Sequence, residues 1–310
     1  MPVSTSIHLS HCLQRIVSIR PESVLDVGCG FGLWGFLCRE YLDAWHGRIS
    51  RSEWEVRIDG IEVFEPYIQA LQRAVYSNIL VEDIREAVKH IDEYDLIIAG
   101  DVIEHLDKPD GEAVVEALYD KARKALLINI PLDDGWDHPE AHGNPAELHR
   151  SQWNPDDLVQ YPGEFTRFSL PCGDYGVFWC FKDIPAGLRA EGLAAAAEMR
   201  EKRGEPESAL RLLLQACDLE PASQCAVVPL TNFLIERGKT SEAVGHLRHA
   251  VETDPTAHWA RLLLARVMKA TSRHAEANEE LRVLLEQPEV PQDIATAARE
   301  LKGAIQKRFA

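Results

Sequence analysis

The sequence predicts two units: a doubly wound α/β sheet of seven strands that ends in an antiparallel hairpin, and an all-α region built from repeats. Three observations carry this reading. Short apolar runs alternate with helix-patterned segments as far as Pro131. Two further strand-like runs flank a turn at residues 171–174. From Ala190 onward, residue types recur every 34 positions. At 310 residues the chain is long for one core, so two domains are expected, at 1–186 and 187–310.

The elements follow in order. "IHLSHCLQRIVSI" has apolar residues at helical spacing and stops before Pro21. The strands are "SVLDVG", "VRIDGIEVF", "NILVED", "YDLIIAG" and "KALLINI", separated by helical patterns over 33–45, 66–76, 84–91 and 111–123. An insertion at 43–55 lengthens the gap between the first two strands. A segment rich in Pro, His and Asp then runs to Asn154, where Asn154, Pro155 and two acids predict a capped helix over 155–160. "EFTRFSL" and "YGVFWCFKD" complete the sheet around "PCGD".

In the second region Pro221 and Pro255 are 34 residues apart, as are Gly204 and Gly238. Ala209, Ala243 and Ala277 keep the same step, as do Leu213, Leu247 and Leu281, and Ala216 and Ala250. This is the period of tetratricopeptide repeats, with small residues where paired helices touch. Three divergent repeats and a last helix at 292–308 as a cap are expected.

Composition narrows the function classes. Residues 1–186 hold 16 Lys+Arg against 32 Asp+Glu, nearly all of the chain's net charge of −17. A phosphate-binding surface wants the opposite sign, so nucleic acid is disfavoured as a partner. No run approaches membrane-spanning length, and the first residues lack a signal-peptide core. Seven cysteines without a CxxC pair suggest reduced thiols in the cytoplasm.

"VLDVGCGFGLWG" raises the ligand question. Three glycines in five positions after a strand point to a tight turn that backbone and ligand approach closely. A dinucleotide site wants Gly or Ala where Leu33 stands, and its pyrophosphate would not welcome Asp26. An acid suits a ligand carrying ammonium and sulfonium instead. The pattern resembles the first motif of class I S-adenosylmethionine-dependent methyltransferases, whose sheet is Rossmann-like. That resemblance, over roughly residues 6–183, implies S-adenosylmethionine as cofactor and S-adenosylhomocysteine as product. It assigns Asp26, Gly28, Gly30 and Gly32 to the methionine end, and Glu62, with Val63, to the ribose. It assigns Asp83 and Ile84 to the adenine, and Asp101 to the turn facing the methyl group.

The acceptor side is expected from residues 131–158, a long irregular segment between core strands. It offers His138, His142, His149, Trp136 and Trp153. His149 as general base, Trp153 stacked on the acceptor, and Glu104 and His105 in "DVIEHL" are the candidate catalytic residues. A second resemblance is to small-RNA 2′-O-methyltransferases, which hold a divalent metal between an "ExxEH" cluster and a later His four before a Trp. It implies a site of Asp101, Glu104, His105 and His149. "DVIEHL" also occurs in metal-free methyltransferases, the first acid here is Asp, and the surface is acidic. The metal-free reading is favoured.

Two functional classes follow. The first is an active methyltransferase acting on oxygen or nitrogen of a metabolite, sugar or peptide, with the repeats recruiting a protein or pairing two copies. The second is an interaction protein whose sheet domain only binds S-adenosylmethionine. Intact cofactor residues favour the first.

Overall fold

The computed structural model describes residues 5–132, 136 and 143–306. The chain divides between Asp183 and Ile184 into two compact units.

The first unit is one seven-stranded sheet in the order β3-β2-β1-β4-β5-β7-β6. Its strands are β1 (Ser23–Val27), β2 (Arg57–Glu62), β3 (Asn78–Val81), β4 (Tyr94–Gly100), β5 (Ala122–Pro131), β6 (Gly163–Leu170) and β7 (Gly173–Phe181). The first five pair in parallel, and β7 runs antiparallel to both β5 and β6. This is the sheet expected of the class I methyltransferase fold. The helices are α1 (Leu9–Ile19), α2 (Leu33–Leu42), α3 (Ala70–Val75), α4 (Ile84–Ala87) and α5 (Lys108–Lys121). The expected helix at 66–76 is split: a 3-10 turn at Glu65–Tyr67 precedes α3. The expected helix at 84–91 is a single turn, and the insertion at 43–55 folds as two short 3-10 turns.

Successive strand residues point to opposite faces, so the core forms two layers. Val24, Leu96, Ile98 and Leu127 pack with Cys12 and Ile16 of α1 and Trp34 and Cys38 of α2. Leu25, Val27, Ile97, Ala99 and Ile128 pack on the other face with Val114, Val115 and Leu118 of α5. Strand order reverses between β1 and β4. Their carboxyl ends open a crevice there, the usual ligand position in open α/β sheets.

The second unit is helical: α6 (Ala186–Lys202), α7 (Pro206–Leu219), α8 (Gln224–Glu236), α9 (Thr240–Thr253), α10 (His258–Ala270), α11 (His274–Glu286) and α12 (Gln292–Gln306). Within it α6 packs on α7, α8 on α9 and α10 on α11, and α12 covers the last pair. Ala209, Ala243 and Ala277 are wholly buried, as are Ala216, Ala250, Leu247 and Leu281. The period therefore marks the residues at which helices meet. Among the described residues no helix is long and apolar enough to cross a membrane.

The turns inside the pairs obey the same period. Gly204 and Gly238 have φ of 78° and 74°, and Ser272, one repeat on, adopts φ of 62°. A left-handed conformation costs a residue with a Cβ roughly 1–2 kcal/mol, a cost glycine avoids. Ser272→Gly should therefore raise the thermal midpoint of the helical unit, with a gain of roughly 0.5–1 kcal/mol after the added unfolded-chain entropy. Gly238→Ala should lower it. Equal effects of both substitutions in calorimetry would contradict this account.

Candidate active site

The site is built against the glycine turn between β1 and α2. Gly28, Gly30 and Gly32 have φ of 64°, 48° and 86°. A Cβ at Gly28 would also lie 2.6 Å from the Val102 side chain, so the turn after β4 presses against this loop. The Cys29 amide donates to the Ile61 carbonyl at 2.9 Å, and the Gly32 amide to the Cys29 carbonyl at 2.7 Å. Glu62, 5% exposed at the end of β2, accepts from the Gly30 amide at 2.9 Å and the Phe64 amide at 2.8 Å. Burial raises its carboxyl above the ordinary value, while those backbone donors oppose the rise.

Asp26 stands elsewhere than expected. Its side chain shares the α2 face with Val24, one residue out of phase with Val27, which lines the cavity. One carboxylate oxygen accepts from the Tyr76 hydroxyl and from the Gly35 amide at 3.2 Å. The carboxyl is 1% exposed, and burial pushes it up to about 7. Asp26 therefore braces the turn from behind and does not line the cavity.

In front of the turn lies a cavity of about 580 Å³. Its walls, taken strand by strand, are the glycine loop, Glu62 and Val63 after β2, Asp83 and Ile84 after β3, and Asp101 with His105 after β4. Val63 is 48% exposed at this wall, whereas Ile84 is buried. Asp83 accepts from the Arg85 amide at 2.9 Å and the Arg85 guanidinium at 2.6 Å, which also reaches Asp110. That guanidinium holds the Asp83 carboxyl below the usual range. Asp101 adopts φ of 53°, accepts from the Tyr175 hydroxyl at 2.8 Å, and donates its amide to the Asn129 carbonyl at 2.8 Å.

The acceptor-side residues divide. Among the described residues Glu104, His105 and His149 bring one ligand atom each to within 4.8 Å of one another. The two imidazoles meet edge to face, with centroids 4.9 Å apart. His105 Nδ1 faces the Leu148 carbonyl at 3.3 Å. A carbonyl only accepts, so Nδ1 is the donor in this contact. Glu104 is 2% exposed, and neither carboxylate oxygen has a hydrogen-bond partner among the described residues. Burial, and then the charge of Asp101, raises its carboxyl well above the usual range. An orphaned buried carboxylate beside two imidazoles suits a hard divalent cation. The pattern weighed second in the sequence thus has geometry to support it, without Asp101 in the group.

Trp153 corrects an expectation. It is 2% exposed within the core against Ile103 and Val114, its ring covered by the Lys108 ammonium at 3.6 Å. No face remains for an acceptor. It anchors the segment instead, donating to Ser151 Oγ at 2.9 Å. The capped helix expected over 155–160 is one 3-10 turn, Pro155–Asp157, although the Asn154 cap and its partner Asp157 are present. Trp136 donates to the Asp174 carbonyl at 2.9 Å, whereas His138 and His142 lie outside the described residues.

Sequence reasoning missed Tyr67, Asn144 and Glu147. All three line the cavity. The Tyr67 hydroxyl donates to Glu147 at 3.0 Å across 80 positions of sequence. No local pattern announces a pair so far apart.

Comparison with known proteins finds partial similarities in each region. The tetratricopeptide repeat family model matches residues 234–305. A ubiquinone biosynthesis O-methyltransferase of Salmonella paratyphi A is 30% identical over 117 residues, 36% of this chain and 42% of its own length. The chain thus spans less than half of the curated relative it matches. A magnesium protoporphyrin IX methyltransferase of Synechocystis, solved with S-adenosylhomocysteine, aligns over 56% of this chain and 82% of its own. Its TM-score is 0.42 at 14% identity. The Yersinia enterocolitica secretion chaperone SycD, solved with a translocator peptide, aligns over 39% of this chain and 94% of its own. Its TM-score is 0.33 at 18% identity.

The raised Asp26 carboxyl has a pH consequence. Its value of about 7 in the fold exceeds the ordinary 3.8, so the native state binds this proton more tightly than the unfolded chain. The associated stability is fully present below about pH 4 and lost as pH rises through about 7. Asp26→Asn should lack this loss, so urea midpoints of variant minus wild type should drift in the variant's favour from pH 4 to 8. A difference independent of pH would show that Asp26 does not titrate in that window.

Proposed function

We propose that the first unit is an S-adenosylmethionine-dependent methyltransferase that moves a methyl group to an oxygen or nitrogen of a metabolite, sugar or peptide. In this reading residues 1–186 are the catalytic domain, and residues 187–310 engage a protein partner or a second copy. One observation carries it: the cavity at the sheet's switch point meets the glycine turn, Glu62, Asp83 with Ile84, and Asp101 at successive strand ends.

The cofactor supplies a methyl group on a sulfonium. When bound, it would give up that methyl to the acceptor, leaving a neutral thioether and one proton for the chain's residues to take. The chain's own residues have three tasks. Glu62 is already oriented by two backbone donors, and its remaining lone pairs are available to the ribose hydroxyls. Ile84 offers an apolar wall and Asp83 a carboxylate for the adenine end. Glu62, Asp101 and Glu147 supply the acidic lining that a sulfonium and an ammonium require, with Asp26 bracing the loop behind them. His149, beside His105, is the candidate to take or orient the acceptor's proton.

The Glu104, His105 and His149 group favours a second reading, a metal-dependent 2′-O-methyltransferase or related enzyme. There a divalent cation would be held by one carboxylate and two imidazoles and would polarise the acceptor oxygen.

The cofactor assignment and the role of His149 are tested separately. Glu62→Ala should weaken S-adenosylhomocysteine binding by about 2–4 kcal/mol, the range for two charge-assisted hydrogen bonds, while Glu62→Gln loses less. Calorimetry on a folded Glu62→Ala protein that binds like wild type would remove the cofactor assignment. His149→Ala should leave that affinity unchanged and lower kcat by roughly 10²–10⁴ on an acceptor identified by label transfer. Activity that survives chelation selects the general-base role. Activity lost to chelator and restored by Mn²⁺ or Mg²⁺ selects the metal role.

A further inference from the structure

The segment 144–151 touches both halves of the site. Asn144 and Glu147 wall the cavity, whereas His149 lies against His105 and Glu104. Glu147, which ends a 3-10 turn at Pro145–Glu147, and His149, two positions on, therefore face different chemistry. The downstream end is fixed: the Arg150 and Ser151 amides both donate to the Glu104 carbonyl, at 2.8 and 3.0 Å. The upstream end is tied to the glycine turn. The Gln72 side-chain amide donates to the Gly30 carbonyl at 2.9 Å and to the Tyr67 carbonyl at 2.7 Å. The Tyr67 hydroxyl then donates to Glu147 at 3.0 Å, and Tyr67 and Glu147 are both buried. One chain of contacts thus runs from Gly30 through Gln72, Tyr67 and Glu147 to a residue two positions before His149.

We propose that Tyr67 and Glu147 are positioning residues that make the placement of His149 depend on what fills the cofactor cavity. The inference rests on the reading of that cavity as the S-adenosylmethionine site. Gly30 and Glu147 are opposite ends of the chain, and both line the cavity. A ligand resting on both fixes their separation, and the Tyr67–Glu147 bond carries that constraint to the segment holding His149. The converse follows from linkage: a group bound at His149 would tighten the cofactor by the same factor. The Tyr67 hydroxyl is given no part in holding the reacting atoms, so loss of the tie through it should uncouple the sites without abolishing either.

The test uses the full chain with S-adenosylhomocysteine as probe. In wild type, saturating ligand should slow amide exchange over residues 144–151 by roughly fivefold or more, the low end of measured couplings. It should also move the His149 imidazole resonance, assigned by its loss in His149→Gln. Tyr67→Phe keeps the ring against Phe31 and Phe64 but removes the hydroxyl. It should still bind the ligand while both responses vanish. Glu147→Gln, the alternative if Tyr67→Phe is unstable, should weaken both responses. Wild-type protein that binds the ligand without either response would overturn the proposal, as would a Tyr67→Phe protein that responds fully. Absence of calorimetric binding to wild type would instead overturn the cofactor reading, and this proposal with it.

Discussion

Three left-handed residues in the turn after β1 form a conformation that must be held from outside, because little in the turn's own side chains can hold it. The fold supplies that hold by burying polar groups around it. Asp26 grips the start of α2 through Gly35, Glu62 grips the Gly30 amide, and Gln72 grips the Gly30 carbonyl. Each comes from a different element, so the turn is held where β1, β2 and α3 meet. The same partners define the cavity, since Glu62 and Gly30 are both walls of it. The contacts that hold the turn and the walls of the site are then shared.

This arrangement separates what the sequence displayed from what it concealed. Strand β4 has the bounds read from "YDLIIAG", because a fully buried parallel strand is a continuous apolar run between polar breaks. Glu62, Asp83 and Asp101 lie where reading along strand ends puts them. Asp26 was legible in its location and misread in its direction. The alternation of Val24 and Asp26 against Leu25 and Val27 already assigns the carboxylate to the α2 face. Trp153 failed for the opposite reason: an aromatic in an irregular segment looks available. Only the fold places Lys108 over its ring and Gly111 beneath it, where a Cβ would lie 2.7 Å from the indole. Tyr67 and Glu147 were hidden altogether, since a hydrogen bond across 80 residues has no period to reveal it.

The helical unit was more readable, because its contacts are local and repeat. A small residue at 209, 243 and 277 is needed wherever two helices approach closely, and one period states that need three times. Ser272 shows the limit of such reading. The backbone keeps the left-handed turn of Gly204 and Gly238 although the residue here is serine, so geometry repeats where residue type does not. Packing on either side of the turn imposes the conformation, and the serine bears the strain.

The charge of the first unit can now be partitioned. Of its 32 acids, Asp26, Asp43, Asp59, Glu62, Asp95, Glu104, Glu147 and Asp157 are buried, against Arg39 as the one buried Lys or Arg among the described residues of this unit. Some of these acids are neutralised within the fold, as Asp43 is by Arg39 and Arg48, and Asp95 by Arg123 and Lys124. Others, notably Glu62 and Glu104, lie at the cavity and its edge without an Arg or Lys ion pair among the described residues. Part of the acidity that disfavours nucleic acid is thus internal, and the exterior repels phosphate less than the total suggests. What the internal acids favour is a cation within reach of both groups. In the proposed reading a sulfonium cofactor would meet that demand at Glu62, and a divalent ion would meet it at Glu104. The two readings of the site therefore answer separate parts of one electrostatic problem, and the second cation would complement the first.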